Sequence, residues 1–451
     1  MQTMLSMLQK FIVHGLIMTG LFLFPVMARG QQVLSLDLPQ AVELAMEKNP
    51  TMQISRLEIE SKEARINETR GLFLPSFNMT GSYNRNIKKP VFFLPEGSPF
   101  GTVLEVGSDN SYMAVLSASL PVYNPALNAS LDAARAERQL AGEQLRGNKM
   151  ELTHQVKRAF FDALLARESK LVIQESYDNA FENLQNIRHM YDQGMVAEFD
   201  LIRAQVQAEN LRPGLLQASN AYDLAVNYLK ALIGLEESQL VELQGNLNDL
   251  SQTMLDHFVA AEVERHLARN TDLIQLGLQQ ELLQQQTRAI RAGGLPSLAL
   301  AGNYMYQTEA NHFDFGDYNW INTFSAGFQL NIPLFRGLTI RNQARQLEIA
   351  SKQLGLQREY MEDNLRIQLE NILNAMSVAV EKSNNAKQNV EMAERGYQIA
   401  RRRYETGQGT LLEINDSQVA LTQARFNLLQ ARHEMLQAKI DYDRFTGNNQ
   451  L

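Results

Sequence analysis

The chain has 451 residues, a formal net charge of −8 and no cysteine. The missing cysteine excludes disulfides, thiolate metal sites and cysteine nucleophiles, and the acidic balance excludes the basic surface that nucleic-acid binding needs. The seven histidines are scattered without metal-ligand spacing, and the glycines form no phosphate-binding loop. We therefore predict a protein that is not an enzyme and that holds no cofactor or metal.

The N-terminal segment is typical of an exported protein. Lys10 precedes an apolar run over residues 11–26, and the small residues Ala28 and Gly30 follow at the spacing of a cleavage site. The alternative, a transmembrane anchor, needs ~20 apolar residues, more than this run supplies. We expect a secretory signal peptide over residues 1–30.

The rest of the chain repeats one pattern. Leu74-Pro75-Ser76 returns as Leu295-Pro296-Ser297, and Tyr191-Asp192-Gln193-Gly194 returns as Tyr404-Glu405-Thr406-Gly407. Because the motifs keep their order and nearly their spacing, we predict a tandem duplication with units at 31–238 and 239–451.

Each unit is predicted to contain a helix, a β-hairpin, a very long helix and a closing helix. At ~1.5 Å per residue, the long helices reach roughly 100 Å and need partner helices along their length. Pro213-Gly214 predicts a local kink in the first closing helix. The predicted segments are 49–70, 76–122, 125–192 and 198–232 in the first unit, and 271–292, 297–335, 337–405 and 411–445 in the second.

The closing helix of the second unit has two apolar lines. One consists of Val419, Phe426, Leu429, Leu436 and Ile440, with Thr422 and His433 as polar interruptions; the other consists of Ile414, Leu421, Leu428, Met435 and Tyr442. Either line alone resembles a coiled-coil seam. Two lines indicate a neighbouring helix on each side, although a plain coiled-coil bundle would also explain these segments.

Four segments inside the two hairpins alternate with period two. In residues 297–306 and 324–332, apolar and aromatic residues share one face while small and polar residues share the other. Residues 77–86 follow the same rule, and residues 112–120 follow it less cleanly. This pattern is typical of an outer-membrane barrel wall, the alternative being a half-buried sheet of a soluble domain. Four strands cannot close a barrel, which needs ~8, so copies of the chain must share one.

Several short sequence motifs occur in a fixed order along the chain, and most of them occur in both units. They are Leu36 through Ala41, Ala45, Asn49 and Pro50 at the start, the two Leu-Pro pairs, Pro121 and Pro333, and the two Tyr-x-x-Gly turns. Taken together, they make the chain resemble the TolC-type outer-membrane efflux proteins over nearly its whole mature length.

The resemblance implies a mainly α fold with a membrane β-barrel contribution. Three copies would share a twelve-stranded barrel in the outer membrane, and their long helical hairpins would form a trimeric α-barrel across the periplasm. Residues 87–110 and 309–320 would be external loops. Residues 34–48 and 240–270 would form a girdle around the middle of the tunnel.

Acidic residues follow the second Tyr-x-x-Gly turn. Glu413 and Asp416 stand three apart, so they share one helix face, and a ring of such acids attracts cations. The ordinary alternative is that acids near a helix start complement its dipole.

The resemblance assigns Glu413 and Asp416 to the periplasmic aperture. It matches Tyr404 to a tyrosine that bonds neighbouring hairpins in the closed state, and Asp200 to an acid of the first hairpin. The family's clamping arginine is replaced by Gly409, so we expect Arg203, one turn after Asp200, or Arg403 to take over some clamping.

The function implied is a passive exit duct of a tripartite efflux pump or type I secretion system. An inner-membrane transporter would supply energy, and a periplasmic adaptor would dock on the hairpin tips at Gly194, Met195, Val196, Gly407, Gln408 and Gly409. Drugs and other toxic compounds, metal ions, siderophores and exported polypeptides all remain possible cargo. A non-porous periplasmic coiled-coil scaffold is the alternative.

Overall fold

The computed structural model describes residues 33–255 and 267–447. The expected signal peptide and residues 256–266 of the expected girdle lie outside this range. Among the described helices, none has the length and apolarity of a membrane span.

The described chain is mainly helical with a smaller β component, which confirms the prediction of a mainly α fold. The helices are α1 Leu38–Lys48, α2 Pro50–Gly71, α3 Pro125–Asp192, α4 Glu198–Ile233, α5 Leu247–Leu255, α6 Thr271–Ala292, α7 Thr339–Glu405 and α8 Leu411–Thr446. The strands are β1 Leu34–Leu36, β2 Ser76–Arg85, β3 Val91–Phe93, β4 Val103–Glu105, β5 Asn110–Tyr123, β6 Val241–Leu243, β7 Ser297–Ala310 and β8 Ile321–Asn331.

Asparagine side chains begin three of the helices. The side-chain Oδ1 of Asn49 accepts from the backbone amide of Thr51 at 2.7 Å, and Oδ1 of Asn270 accepts from the backbone amide of Asp272 at 2.9 Å. Asn124 caps α3 in the same way. These contacts satisfy amide groups that have no partner within the helix.

Helix α8 lies between α3 and α7, with one apolar line toward each. Leu428 packs with Ala386 of α7, whereas Leu436 and Ile440 belong to the core cluster that contains Phe160 of α3. The two apolar lines of α8 therefore do face a neighbouring helix on each side, and both neighbours belong to the same chain. Val419, which was placed in one of the lines, is exposed.

The polar interruptions of the α8 line have partners on α3. The hydroxyl groups of Thr422 and Ser176 lie 2.7 Å apart, and Nε2 of His433 lies 2.6 Å from Oδ1 of Asp162. In a second pair the histidine belongs to α3 and the aspartate to α8: Nε2 of His154 lies 2.6 Å from Oδ1 of Asp441. These pairs fix how α3 and α8 align along their axes.

Helix α4 is uninterrupted from Glu198 to Ile233, with Pro213 inside it. Proline removes one helical hydrogen bond, but here it does not end the helix. The kink that we expect at Pro213-Gly214 therefore does not break the element in two.

One antiparallel sheet has the strand order β2-β5-β7-β8. The hairpins β2–β5 and β7–β8 meet through β5 and β7, which leaves β2 and β8 as edges. Strands β5 and β7 extend to 14 residues each, longer than the alternation predicts. The expected loop at 87–110 contains the small hairpin β3–β4, and the other expected loop starts only after Ala310.

The core lies where α1 and the short β1–β6 pair pack against the middle of α3. Leu36, Ala41 and Ala45 are completely buried there beside Phe160. Arg167 of α3 donates to the carbonyl oxygen of Leu243 at 2.5 Å. Residues 34–48 and 241–247 of the expected girdle are thus held against α3 by both apolar and polar contacts.

Three charged side chains are buried together between α3 and α8. Nζ of Lys439 lies 2.5 Å from Oδ1 of Asp443, and both side chains are less than a tenth exposed. Lys157 is only 3% exposed. Burial lowers the pKa of Lys157; Asp443 opposes this effect and Lys439 adds to it. One carboxylate therefore faces two cations in a poorly hydrated position.

We predict that Lys157→Met stabilises the protein and that Asp443→Asn destabilises it. Lys157→Met removes a desolvated cation and should raise the free energy of unfolding by about 1 kcal/mol. Asp443→Asn leaves two buried lysines without a negative partner and should lower the free energy of unfolding by about 3 kcal/mol. The readout is unfolding followed by circular dichroism at pH 7.

The stabilisation by Lys157→Met should shrink as the pH rises toward 10. A lysine whose pKa is lower in the folded state opposes folding fully below that folded pKa, and this penalty disappears above the unfolded value of about 10.4. A Lys157→Met protein that is less stable than the wild type at pH 7 would contradict this account of the cluster.

Candidate functional site

The two helical hairpins end in the same turn. In the first, Gly194 has φ +73°. Its backbone amide donates to the carbonyl oxygen of Tyr191 at 2.8 Å, and the amide of Met195 donates to the carbonyl oxygen of Met190 at 2.9 Å. In the second, Gly407 also has φ +73° and donates to Tyr404 at 2.9 Å. This is the Schellman ending of a helix, and its left-handed position favours glycine.

The position matched to the family's clamping arginine is closely packed. A Cβ atom on Gly409 would lie 3.0 Å from the amide nitrogen of Tyr404 and 3.1 Å from the carbonyl carbon of Arg403. A side chain at this position would therefore force the backbone of the turn to move. The turn in this conformation therefore favours glycine at residue 409.

Arg403 bonds within its own hairpin. Its Nη2 donates to the carbonyl oxygen of Gln408 at 3.2 Å, and its Nη1 lies 3.4 Å from the carboxylate of Glu413. The hydroxyl of Thr410 also accepts from the amide of Glu413, at 3.3 Å. Glu413 is thus both the partner of Arg403 and part of the start of α8.

The other expected aperture residues have different surroundings. Asp416 is exposed and forms no ion pair with any residue in the described ranges. Asp200 and Arg203 are half-buried on α4. Asp416 therefore carries the freer of the two negative charges on the α8 start.

Tyr404 lies between the two hairpins. It packs against a buried cluster formed by Leu184, Ile187 and Ala204 of the first hairpin and Leu411 of the second. Burial raises the pKa of Tyr404, and the negative charge of Asp200 raises it further. The structure thus brings Tyr404 near Asp200, and the two hairpin tips share a small apolar core.

A cavity of about 570 Å³ lies beside this core, lined by Met190 and Val196 of the first hairpin and by Gly407 and Gly409 of the second. Gly194 and Gln408 are exposed at the turns. Met195 is 62% exposed and Phe199 is 69% exposed. The first tip therefore presents apolar side chains to solvent, while the second presents mainly polar ones.

The sheet at the other end of the helices has two chemically different faces. Successive residues of a strand point to opposite faces. One cross-strand row is polar and consists of Asn78, Ser117, Asn303 and Ser325, and the adjacent row on the other face is apolar and consists of Met79, Leu116, Tyr304 and Phe324. Met113, Val115 and Met305 interrupt the polar face.

Aromatic rings cluster at the end of the sheet that is remote from the helices. The rings of Tyr83 and Tyr112 stack at 4.8 Å, and Phe315 lies 5.5 Å from Tyr112. Tyr306 and Trp320 stack at 4.9 Å. An apolar band ending in a belt of aromatic residues is typical of a barrel wall at a membrane interface.

Sequence reasoning missed one bridging residue above the tips. Arg425 of α8 lies 2.7 Å from Glu175 of α3 and 3.8 Å from Glu394 of α7. It therefore links both neighbours of α8. The only signal was its place on a helix with two apolar lines, which does not identify the partners.

The family model for outer membrane efflux proteins matches residues 41–235 and 263–448. The outer membrane protein TolC of Vibrio cholerae is 23% identical over 318 residues, which cover 70% of this chain and 68% of that protein. The cobalt-zinc-cadmium resistance protein CzcC of Cupriavidus metallidurans is 24% identical over 410 residues, with coverage of 90% and 88%.

Solved structures show the same fold. The outer membrane protein VceC of Vibrio cholerae has a TM-score of 0.70 at 15% identity, with coverage of 91% of this chain and 96% of that one. A membrane protein of Pseudomonas aeruginosa has a TM-score of 0.74 at 18% identity, with coverage of 91% and 92%. The match of the family model to both halves of the chain shows that it belongs to the outer membrane efflux protein family.

Proposed function

We propose that this outer membrane efflux protein acts as a homotrimeric exit duct with a shared twelve-stranded barrel. Its tandem units would each contribute one β-hairpin to the barrel and one helical hairpin to a periplasmic tunnel. The sheet carries this proposal, because it combines a polar face, an apolar face with an aromatic belt, and two open edges.

The open edges require a partner. Strands β2 and β8 pair on one side only, and an unpaired backbone group in hydrocarbon costs several kcal/mol. Pairing β8 of one copy with β2 of the next closes the sheet without edges. Three copies supply twelve strands, which exceeds the practical minimum of ~8.

The helices next to the open edges also expose apolar side chains. Helix α2, which precedes β2, exposes Ile54 and Leu57, and α7, which follows β8, exposes Leu356, Tyr360 and Ile367. Neighbouring copies that pair through the sheet would bring these two helices together. The same arrangement would therefore cover both the strand edges and the exposed apolar helix faces.

The tips are the proposed contact with the rest of an efflux or secretion system. A periplasmic adaptor would dock around Gly194, Met195 and Val196 on one tip and Gly407, Gln408 and Gly409 on the other. An inner-membrane transporter would supply the energy, because a duct of this kind is passive.

The cargo would be chosen outside this chain. The relative CzcC is a cobalt-zinc-cadmium resistance protein, and AprF of Pseudomonas aeruginosa, 24% identical over 324 residues, is an alkaline protease secretion protein. The polar row of serine and asparagine side chains offers no selective site for either class. Small molecules and polypeptides both fit the proposed duct.

The aperture would lie at the tips. Glu413 and Asp416 of three copies would surround the opening, with Tyr404, Asp200 and Arg203 on the faces that separate when it widens. Arg403 is engaged with Gln408 and Glu413 in its own hairpin. We therefore assign clamping between hairpins to Arg203 rather than to Arg403.

Cysteine pairs should cross-link the chain into covalent trimers, because β2 of one copy would lie beside β8 of the next. Thr323→Cys on β8 is combined with Asn78→Cys, Thr80→Cys or Ser82→Cys on β2, which sample three registers. The wild-type chain has no cysteine to interfere. At least one combination should give an oxidant-dependent trimer on a denaturing gel of outer membranes.

A control pair within one copy tests the specificity of the cross-link. The pair Thr80→Cys and Val115→Cys lies within one copy's β2–β5 register and should add no mass. Absence of any trimer from the three edge combinations would reject the shared barrel, and recovery of the wild-type protein as soluble rods would favour the coiled-coil scaffold instead.

Asp416→Asn should weaken block of the single-channel current by divalent cations. The change removes three unpaired carboxylates from the proposed opening, so we expect the half-blocking concentration to rise about tenfold. Glu413→Gln should have a smaller effect, because Arg403 already neutralises Glu413. The measurement is conductance of purified protein in planar bilayers.

Glu391→Gln is the matched control, since Glu391 is an exposed acid farther up α7. Its block curve should match that of the wild type. Equal block of the wild type and Asp416→Asn would remove Asp416 from the aperture.

A further inference from the structure

A cavity of about 910 Å³ lies where the sheet passes into the long helix α7. It is lined by the connection that follows β8, by the first turns of α7, and by the end of α6. The site is remote from the hairpin tips, at the opposite end of α7.

The cavity is strongly basic. Arg291, Arg336, Arg341 and Arg345 line it together with a single acid, Glu348. Glu348 pairs with Arg291 and lies 3.8 Å from Arg345. Within the described ranges, Arg336 and Arg341 form no ion pair, and both are exposed. Two guanidinium groups are therefore available to an anion.

Apolar side chains stand beside these arginines. Leu334 is 93% exposed, Phe335 is 79% exposed and Leu338 is 55% exposed. Leu338 has φ +65°, the only positive φ of a non-glycine residue in the described ranges. A leucine in this conformation is strained by about 1–2 kcal/mol. The chain therefore keeps a strained connection that leaves its apolar residues uncovered.

The fold does not require these features. At the matched position of the first unit, β5 leads through Asn124 into α3. Asn124 caps that helix, Pro125 follows at its first position, and the first basic residue of α3 is Arg135. The first connection is neutral and capped, whereas the second is basic and begins without a side-chain cap. The difference points to a ligand of the second connection.

Under the proposed function, this connection lies at the periplasmic edge of the membrane. It follows the apolar face of β8, where Phe328 and Leu330 are exposed. Lipid phosphates of the inner leaflet lie at this depth, next to the glycerol group from which their acyl chains start. Arginine binds phosphate through two parallel hydrogen bonds, and basic pockets at a membrane surface bind anionic lipid head groups.

We propose that this cavity binds an anionic phospholipid of the periplasmic leaflet, an inference that rests on the proposed function. Arg336 and Arg341 would hold the phosphate, and Leu334, Phe335 and Leu338 would contact the acyl chains. A free phosphate would not use the exposed apolar residues. A second copy would bring the end of α2, whose last turn carries Arg70, toward a surface that is already basic.

The test measures lipid retention by the full-length protein in detergent, using native mass spectrometry. Phosphatidylglycerol and phosphatidylethanolamine of equal chain length are added separately, and inorganic phosphate is the third probe. The wild type should retain phosphatidylglycerol about tenfold better than phosphatidylethanolamine. Arg336→Gln with Arg341→Gln should abolish this preference, and Leu334→Ser with Phe335→Ser should lower retention of both lipids.

The matched control is Arg135→Gln with Arg138→Gln, which removes the same charge near the start of the first unit's long helix. It should retain the lipid preference. Equal retention of both lipids by the wild type, or displacement of phosphatidylglycerol by millimolar phosphate, would overturn the lipid site. If Arg336→Gln with Arg341→Gln loses the trimer but keeps the preference for phosphatidylglycerol, the surface would instead be a contact between copies.

Conductance separates this proposal from the proposed function. Arg336→Gln with Arg341→Gln should form pores of wild-type conductance while losing the lipid preference. A wild-type protein that forms no pore would reject the duct, whereas its lipid preference is measured independently in detergent.

Discussion

Two unpaired strand edges are the constraint on which the rest of the architecture depends. Each edge presents a row of backbone groups that water can solvate and hydrocarbon cannot. A single chain with four strands has no means of closing the sheet. The exposed apolar residues of α2 and α7 stand next to the same two edges. The proposed association of copies would therefore satisfy both the polar backbone of the sheet and the apolar faces of the helices.

Helix α8 links α3 and α7 above the hairpin tips. Its two apolar lines bind it to α3 and α7, and Arg425 reaches an acid on each. The paired polar groups between α3 and α8 favour this alignment of the helices, because sliding by a turn would leave the buried side chains of His154 and Ser176 without their partners. Movement at a tip is therefore expected to bend or rotate whole hairpins rather than slide one helix along another.

The sequence predicts much of this local structure because its signals are local. Asn49-Pro50 and the glycine of each Tyr-x-x-Gly turn mark helix ends by their own conformational preferences. The extra length of β5 and β7 was not predictable, because their outer residues are held by cross-strand pairing. The partners of His433 and Thr422 lie far away in sequence. The local packing that excludes a side chain at Gly409 depends on the three-dimensional path of its turn.

The differences between the two units are concentrated at both ends of their long helices. At the tips, the first unit exposes Met195 and Phe199, whereas the second holds Arg403 against Glu413. At the sheet, the first connection is capped by Asn124 and the second is rich in arginine. If all the hairpins in a ring were identical, every position would bind an adaptor or a lipid equally well. In the proposed trimer, the contrast between the units would give three positions of each kind, and this division of surfaces would be the chemical consequence of having two units in one chain.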